Sequence, residues 1–503
     1  MPVSNKHGEA AQRILYPGFS GGLNLSVPAE SLGATELKTA MNVEFSRDAG
    51  AMRVRGGLVW SGRFDGEIGD VVPVPGRRGF LVREKGGRRL WYFLWNSVWP
   101  VTGSLSGDGE MSAAAWGEAG QMVIASGGKL QRFEDLEHTG GAPKLTTIAA
   151  SPANCRAVFV RDGRVGVADG PDTLRFSWVG DCEKWDNDPD DESTGQFIEI
   201  GYKDGMDINA VVPLSKDLIL FKTPPGEPDK GTVWRLTGSF PEWVPMEAAH
   251  DTGTFGQRSV AAVGNDVFYL SPLGLATLGT VTQYGEVRTA WPDRKVAPTL
   301  TNLLRDGARL WNVPAKEQLW ILPSQDEEVL WVFDYGAGLW TQFQFPERPT
   351  HAACVDQDVY AFIGRDLYYV NDWYVQDEIK NSGGAATLHT IRAKMGMGTL
   401  LNGWQTLVKG AFVSFSIDPS CRAHLALKNW KMPLTAGGTP DYICDPPNTV
   451  QYASEDDDPI FPPGNVMTSR RRGIVRDWAI APEIEITGGG CSISTVGLEA
   501  VEV

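Results

Sequence analysis

The sequence predicts an all-β protein whose main part is a β-propeller. Its 503 residues include 58 glycines and 32 prolines, above the roughly 7% and 5% of average proteins, which indicates many tight turns and short strands. A second observation is a repeat: an apolar or aromatic run, a turn of Gly, Pro or Asp, and another apolar run, as in a β-hairpin. The third is the period of this repeat, about 45 residues on average, which is typical of propeller blades.

Seven such hairpins can be placed along the chain. They start at Arg89, Gln121, Ala157, Leu218, Val267, Gln318 and Val359. One small sheet cannot bury both of its faces alone, so blades stack around an axis. Because the spacing is uneven, we expect six to eight blades, about seven. One or more β-sandwiches remain the alternative for this part of the chain, since they also have short strands with frequent turns.

Four parts are predicted in chain order. They are an N-terminal arm (1–60), the propeller (61–376), a polar, Gly-rich linker (377–389) and a smaller all-β, sandwich-like domain (390–503). The last part is predicted from runs in which apolar and polar residues alternate, as in half-buried strands.

The arm is expected to contain one short helix. Leu37, Ala40 and Met41 recur at the i, i+3, i+4 spacing of one helix face. Gly33 and Asn42 bracket this stretch, and both residue types are common at helix ends. The rest of the chain has almost no helical period.

Charge and cysteine usage exclude several classes of protein. The chain has 46 basic and 62 acidic residues, a net charge of −16, which argues against tight binding of nucleic acid along the surface. Six cysteines lie far apart without a CxxC pair, so we expect reduced, half-buried thiols and neither a disulfide framework nor a zinc site. They are Cys155, Cys182, Cys354, Cys421, Cys444 and Cys491.

Targeting and membrane signals are not visible in the sequence. The first residues lack the apolar region of a secretory signal, and no apolar run approaches the ~18 residues of a membrane helix. We therefore expect synthesis and folding in a cytoplasm, without membrane insertion.

Catalytic and ligand-binding motifs are also not found, so we predict no catalytic residue, no cofactor and no metal site. The chain has no phosphate-binding GxxxxGK[ST] loop, no GxSxG elbow and no HxxxH pair. The acidic stretch 186–192 resembles a calcium loop but lacks its glycine and its final glutamate, so a solvated loop is favoured over opportunistic calcium binding. A propeller glycosidase would need paired carboxylates, for which the candidates near strand ends are Asp251, Asp266, Asp334 and Asp372.

Two blocks of sequence resemble the tail nozzle, or head-to-tail stabilisation, proteins of short-tailed bacteriophages. The first block is carried by Gly21-Gly22-Leu23-Asn24, Ala40-Met41-Asn42-Val43 and Arg53-Val54-Arg55-Gly56. The second is carried by the stretches 179–185, 202–222, 233–243 and 252–278. The resemblance extends over about residues 17–372 and more loosely over the C-terminal part.

The resemblance implies a structural virion protein and not an enzyme. Proteins of this family form a ring, usually a hexamer, below the portal and adaptor proteins, near the tail fibre or spike. The ring is a conduit for genome DNA, which passes without specific binding, and a role as a gate is left open. The protein resides in the virion tail. A strongly acidic protein fits such a conduit because it repels phosphate.

Loops that could contact neighbouring subunits are predicted at 182–200, 223–232 and 431–468. The last includes an acidic run, 455–458, that precedes Arg470, Arg471 and Arg472, and it reads either as a solvated loop or as a contact loop. Two other functions remain open: a tail-tip propeller that binds host glycans through exposed aromatic residues, and a glycosidase that acts on a surface polysaccharide.

Overall fold

The regular secondary structure of the described residues consists almost entirely of β-strands. The computed structural model describes residues 12–45, 50–214, 217–281, 286–324, 326–374, 376–381, 383–398, 400–416, 422–429, 450–452, 466–487 and 492–502. Within these residues no helix has the length and apolar character needed to cross a membrane.

Six strands precede the first blade. They are β1 (Gln12–Tyr16), β2 (Gly22–Leu23), β3 (Glu36–Met41), β4 (Val43–Phe45), β5 (Met52–Val54) and β6 (Gly57–Arg63), with one 3-10 turn at Ala29–Ser31. The first five join a large sheet, and β6 leaves it to enter the propeller.

Blades 1 to 3 are separate antiparallel sheets of four strands each. Blade 1 contains β7 (Ile68–Pro73), β8 (Gly79–Glu84), β9 (Leu90–Leu94) and β10 (Ser97–Pro100). Blade 2 contains β11 (Ser112–Ala115), β12 (Gln121–Ala125), β13 (Gln131–Glu134) and β14 (Lys144–Thr147), with helix α1 (Leu136–Thr139) before its last strand. Blade 3 contains β15 (Cys155–Arg161), β16 (Arg164–Asp169), β17 (Thr173–Phe176) and β18 (Gln196–Glu199).

Blades 4 and 5 repeat this pattern. Blade 4 contains β19 (Asp207–Pro213), β20 (Leu218–Thr223), β21 (Thr232–Thr237) and β22 (Val244–Ala249), with a 3-10 turn at Pro228–Lys230. Blade 5 follows a 3-10 turn at Gln257–Ser259 and contains β23 (Val260–Val263), β24 (Asp266–Ser271), β25 (Gly274–Val281) and β26 (Glu286–Ala290).

The next four-stranded unit, called blade 6, follows helix α2 (Ala297–Leu303) and continues into the large sheet. It contains β27 (Arg309–Val313), β28 (Gln318–Leu322), β29 (Val329–Asp334) and β30 (Leu339–Gln344), with a 3-10 turn at Pro314–Lys316. Blade 7 is again a separate sheet, formed by β31 (His351–Val355), β32 (Asp358–Ile363), β33 (Asp366–Asn371) and the N-terminal strand β6. Six separate blades and blade 6 thus make up the propeller.

The blades close into a ring. The first strands of blades 2 to 7 contact one another in order, and β31 of blade 7 contacts β7 of blade 1. Blades 1 and 2 are joined by a shared apolar core. Each pair of neighbouring blades shares an apolar core, as where Phe159 and Phe176 of blade 3 pack with Leu220 and Leu236 of blade 4. Between blades 7 and 1, Phe80 packs edge-on against Phe362, with ring centroids 5.5 Å apart. Strand β6 pairs with β33 along Gly57–Arg63. Backbone hydrogen bonds between strands that are distant in the sequence therefore complete blade 7 and close the ring.

The hairpin prediction is confirmed. The seven predicted hairpins correspond to β9–β10, β12–β13, β15–β16, β20–β21, β24–β25, β28–β29 and β32–β33, one in each blade. Their turns use residues that tolerate a positive φ, such as Asp162 at 50° and Gly163 at 69°. Turn chemistry is local, so the sequence alone carries this information.

The helix predicted in the N-terminal arm is wrong, because Glu36–Met41 is strand β3. Leu37 and Ala40 are both fully buried, although an ideal strand would turn residues three apart to opposite faces. The pairing of β3 with the C-terminal part of the chain shifts register between Leu37 and Thr39. This bulge adds one residue and brings both side chains to the same face, which imitates a helical spacing.

The C-terminal part has eight strands in the described residues. They are β34 (Gln376–Lys380), β35 (Ala386–Thr390), β36 (Arg392–Met397), β37 (Leu400–Ser416), β38 (Arg422–Asn429), β39 (Val450–Tyr452), β40 (Val466–Thr487) and β41 (Ser492–Glu502). The segment 377–389, predicted as a linker, is largely the β34–β35 hairpin. Its polar composition suits a hairpin whose second strand, Ala386–Thr390, is exposed.

The prediction of a further all-β region is confirmed, but its described strands do not separate into two sheets. Strands β36 to β41 form one continuous sheet with β1–β5 and with blade 6, in the order β30-β3-β36-β40-β37-β41-β5-β4 through its centre. The core under this sheet joins arm residues Leu23 and Leu37 to Trp331 of blade 6 and to Ile484 of β40. The N-terminal arm, the propeller and the C-terminal strands therefore share one apolar core.

Candidate functional site: charged groups at the propeller axis

Charged side chains meet where the innermost strands of several blades begin. Asp70 lies on β7, Arg309 and His351 are the first residues of β27 and β31, and Arg258 lies in the 3-10 turn before β23. Glu110 lies two residues before the start of β11. We call these five residues the axial cluster. The first strand of each blade lines the axis, so side chains at these positions converge although they come from blades 1, 2, 5, 6 and 7.

An ion pair crosses the axis within this cluster. Nη2 of Arg258 in blade 5 lies 2.6 Å from Oδ1 of Asp70 in blade 1, and these blades are not neighbours. The other carboxylate oxygen of Asp70 accepts a 2.6 Å hydrogen bond from the backbone N–H of Met111 in blade 2. Arg258 also donates to the Met111 carbonyl. Side chains and backbone thus bridge the axis at this level.

Arg309 and His351 are two further members of the cluster, and they contact each other. Nη1 of Arg309 donates to Nε2 of His351 and, at 3.1 Å, to the Thr350 carbonyl. Nε2 of His351 lies 3.7 Å from Oδ1 of Asp70. The imidazole is therefore held between a guanidinium and a carboxylate, and only 2% of His351 is exposed.

The surroundings of the cluster shift the pKa values of its titratable groups, so that some members are charged and others are neutral. Burial opposes the ionised form of Asp70, but the charge of Arg258 and the hydrogen bonds from Arg258 and the Met111 N–H outweigh it and hold the pKa of this carboxyl below its usual value. Burial and the positive charge of Arg309 hold the pKa of His351 well below 6.5. Burial also lowers the pKa of Arg309. The cluster therefore holds an ionised Asp70 beside a neutral His351.

A second ionic network joins the N-terminal arm to the rest of the protein. Arg55 forms a two-pronged salt bridge with Asp377 of β34, at 2.9 and 2.7 Å, and each side chain is only 2% exposed. Nε of Arg55 donates to Oδ1 of Asn42 at 3.0 Å. Asn42 accepts from Gln344 N of blade 6 at 2.8 Å, and its amide donates to the Arg392 carbonyl at 2.8 Å.

Four further charges complete this arm network. Glu44 accepts from Arg53 at 3.1 Å and from Lys316 at 2.7 Å. Asp372, next to the end of blade 7, accepts from the same two cations at 2.9 and 2.5 Å. Two cations and two anions thus alternate in a closed ring. Asn42, Arg53 and Arg55, which belong to the first motif block of the sequence, connect the arm with blades 6 and 7 and with β34.

The second motif block is also structural. Lys222 is fully buried, and its ammonium lies 2.7 Å from Asp172 and 2.8 Å from Asp204. It donates further to the carbonyls of Ile200 and Gly201 at 2.7 and 3.0 Å. The amine at the end of β20 thus fastens the connection between blades 3 and 4.

The four carboxylates considered for glycosidase chemistry do not lie on the innermost strands. Asp266 and Asp334 are at hairpin turns, where Asp266 accepts from Thr277 at 2.5 Å and Asp334 accepts from Ala337 N at 2.8 Å. Asp251 is exposed in the loop before blade 5, and Asp372 belongs to the arm network. Each has its own local surroundings, so their geometry does not add support for a shared catalytic pocket.

A cation of the protein itself, the guanidinium of Arg164, lies against the acidic stretch 186–192. The guanidinium of Arg164 donates to the Ser177 carbonyl at 2.8 Å and to the carbonyls of Glu192 and Thr194. Within the described part of the chain, no three His, Cys, Asp or Glu side chains are grouped as metal ligands. Of the three carbonyls that Arg164 contacts, that of Glu192 belongs to the acidic stretch itself.

Three of the six cysteines are described, and all three are free thiols. Cys155 and Cys182 are buried and Cys354 is half-buried, as predicted. Burial raises the pKa of Cys155 to about 12 and that of Cys182 to about 11. Cys421 and Cys491 lie outside the described residues, as does Cys444.

The predicted contact loops are described in part. Residues 182–195 form a loop in which Trp185 packs against the core shared by blades 2 and 3, and 223–232 contains the 3-10 turn Pro228–Lys230. Residues 431–449 and 453–465, including the acidic run 455–458, lie outside the described residues. Arg470, Arg471 and Arg472 were predicted in a loop; they lie in strand β40 and pair with Phe412, Ala411 and Gly410 of β37.

An aromatic groove opens at the outer edge of blade 7, next to blade 1. It is lined by Trp60, Tyr360 and Tyr369 together with Arg63 and Asp358. Trp60 is 38% exposed, and its indole N–H donates to Asp366 at 3.0 Å. Fixed aromatic faces beside charged groups are suited to stacking on a polar ring.

The axial cluster was missed by sequence reasoning. Its members are spread from position 70 to position 351 and form no local motif. One sequence signal could have found the axial cluster: its members lie at or near the start of the first strand of their blades. The hairpins recognised in the sequence mostly begin at the second strand of a blade, which left these inner strands unassigned.

Comparisons with known proteins find similarity of fold. No protein-family model and no curated protein matches the chain. Similar solved structures include the WD40 β-propeller domain of Doa1, at 14% identity over 63% of this chain and 95% of that one, with a TM-score of 0.40. BamB from Moraxella catarrhalis is 12% identical over 63% of this chain and 99% of that one, with a TM-score of 0.37. The computationally designed Ika8 protein is 12% identical over 69% and 98%, also at 0.37. Such similarity concerns the fold alone.

Proposed function

We propose that the protein is a structural subunit of a tail nozzle in a short-tailed bacteriophage. In this proposal several copies, usually six, form a ring below the portal and adaptor proteins, and genome DNA leaves through the ring. The protein acts mechanically, and we assign it no catalytic residue and no cofactor.

The arm network is the observation that carries this proposal. Asn42, Arg53 and Arg55, which contribute to the resemblance to tail nozzle proteins, bind the arm to blades 6 and 7 and to β34. A fully paired network with a buried centre, here Arg55 and Asp377, restricts relative movement of the elements that it joins. Such a block is suited to the wall of a tube that must resist deformation during DNA passage.

The charge and the axial cluster support a path for DNA between subunits. Six copies with a net charge of −16 would carry roughly −96 in total, which repels phosphate and favours sliding over binding. The propeller axis itself is bridged by Arg258 and Asp70, 2.6 Å apart. The conduit is therefore assigned to the centre of the ring and not to the centre of each propeller.

Negative-stain microscopy tests this proposal. The protein would be mixed with the portal and adaptor proteins encoded in the same genome, and the mixture without adaptor would be the control. We expect sixfold rings with an axial hole, attached to the adaptor end. Monomers in both samples, or attachment at the periphery without a ring, would contradict the proposal.

The aromatic groove supports a second candidate, a tail-tip propeller that binds host glycans. Trp60 and Tyr360 offer faces for stacking on sugar rings, and the charged side chains of Arg63 and Asp358 also line the groove. A glycan array with wild-type protein and with Trp60→Ala would test this function. Saturable binding that Trp60→Ala abolishes supports it, while no binding to any host surface glycan contradicts it.

A further inference from the structure

We propose that the arginine-rich mouth of the propeller axis binds a small oxyanion, such as inorganic phosphate, on each subunit. The site would be formed by Arg258 and Arg309 of the axial cluster together with Arg83 and Arg348. This proposal does not depend on the assembly proposed above, because it concerns the axis of a single propeller.

The placement of the two additional arginines puts them at the same end of the axis. Arg83, near the end of β8, donates to the carbonyls of Asp108 and Gly109 at 3.1 and 2.5 Å, and Glu110 follows directly. Arg348 lies in the loop that leads into β31, two residues before Thr350. Thr350 accepts from Arg309, and the positive charge of Arg348 contributes to the lowered pKa of Arg309, as that of Arg83 does for His351, so both added arginines lie near the axial cluster.

Positive charge exceeds negative charge at this mouth. Arg258 and Arg309 interact with the carboxylates of Asp70 and Glu110, and Asp70 is already occupied by Arg258 and by the Met111 N–H. Arg83 and Arg348 add two further guanidinium groups to this end of the axis. Asp326 acts on Arg348 from an exposed turn. Neutral His351 adds no charge. A partly buried excess of cations is unfavourable unless an anion compensates it.

Hydrogen-bond donors are also left over. Within the described residues, the buried Nε atoms of Arg83, Arg258 and Arg348 have no hydrogen-bond acceptor. Buried donors in proteins are nearly always paired with protein, water or ligand. An oxyanion has several acceptor oxygens and forms strong, charge-assisted hydrogen bonds with guanidinium groups. Its chemistry therefore matches both the unpaired donors and the unbalanced charge.

Isothermal titration calorimetry with inorganic phosphate tests the site, with sodium chloride at equal ionic strength as the reference titrant. We expect about one phosphate per chain, and an affinity reduced at least tenfold in Arg348→Gln, which loses one of the four cations. Arg175→Gln is the matched control, because Arg175 is 51% exposed and pairs with Asp169 on blade 3. Unchanged affinity in Arg348→Gln, or an equal loss in Arg175→Gln, would overturn the proposal.

A crystallographic measurement tests the same site in the wild-type protein, so that its result does not depend on the folding of a variant. Crystals would be soaked in tungstate, a tetrahedral oxyanion that is visible by anomalous scattering. We expect a peak at the axial mouth within hydrogen-bond distance of at least two of the four guanidinium groups. Tungstate bound only elsewhere, or no ordered tungstate, would overturn the proposal. Titration with acetate then distinguishes phosphate from a carboxylate as the preferred form of the oxyanion.

Discussion

The arm network and the axial cluster are two buried groups of charges with opposite designs. In the arm network, Arg55 faces Asp377, and Arg53 and Lys316 face Glu44 and Asp372, so cations and anions are equal in number. At the axial mouth, guanidinium groups outnumber carboxylates and three of their Nε donors lack acceptors in the described part of the protein. A balanced network stabilises one arrangement of the chain, whereas an unbalanced one retains the capacity to bind an anion.

The largest effect is expected from breaking the balanced network. Arg55→Ala leaves Asp377 as a buried, unpaired carboxylate, which costs about 3–5 kcal/mol. Urea denaturation should show this as a lower free energy of unfolding. Lys85→Ala is the control, because Lys85 and Glu67 are 69% and 61% exposed and such pairs contribute below about 1 kcal/mol. Similar losses in both variants would show that the arm network has no special role.

Asn42 lies at the centre of the arm network, and substitutions there measure how much its backbone conformation contributes to stability. Asn42 has a φ of 56°, which costs most other residues about 1–2 kcal/mol. Asn42→Ala should therefore lose about 2–3 kcal/mol of stability, through this strain and the lost hydrogen bonds. Asn42→Gly retains the backbone conformation and should lose about 1 kcal/mol less. Equal stability of the two variants, measured by thermal and urea denaturation, would contradict the role assigned to the backbone.

Removing the central anion of the axial cluster should have a mixed outcome. Asp70→Asn weakens the bridge to Arg258, at a cost of about 2 kcal/mol, as for a hydrogen bond to a charged group. The same change increases the positive excess at the mouth, so phosphate should bind more tightly and restore part of the stability. Thermal denaturation with phosphate and with chloride measures both effects. A variant that phosphate stabilises less than it stabilises wild-type protein would contradict the anion site.

The smallest effect is a pH dependence caused by His351. Its pKa is lowered in the folded state, so below pH ~6.5 the unfolded chain binds a proton that the folded chain does not. Stability should therefore decrease as the pH falls from 6.5 to 5.5, approaching about 1.4 kcal/mol per pH unit. His351→Gln should remove this slope, whereas exposed His250→Gln should retain it. An unchanged slope in His351→Gln would show that the buried imidazole is not its source.

Local chemistry explains what the sequence could predict. Hairpin turns such as Arg161-Asp162-Gly163 depend on a few adjacent residues, and the blades follow from repeating them. The spacing of Leu37 and Ala40 was misleading, because a bulge imitated a helix and its register depends on distant strand β36. The motif residues Arg53 and Arg55 were noticed, but Lys316 and Asp377 were not, and Asp372 was considered only as a candidate glycosidase carboxylate.

The axial cluster could not be predicted from local sequence either, because its contacts also depend on parts of the chain that are far apart in the sequence. Asp70 meets Arg258 only because the ring of blades closes, and ring closure requires β6 to pair with β33. Contacts of this kind depend on the position of every intervening blade. The three-dimensional fold is therefore needed to bring an unbalanced set of charges to the axis.

Cryo-electron microscopy of the protein assembled on its portal and adaptor proteins would show the path of the DNA. We expect a sixfold ring whose DNA-sized hole lies between subunits, with each propeller axis bridged by Arg258 and Asp70. Density for DNA through the middle of a propeller, or a single copy attached without a ring, would contradict this expectation.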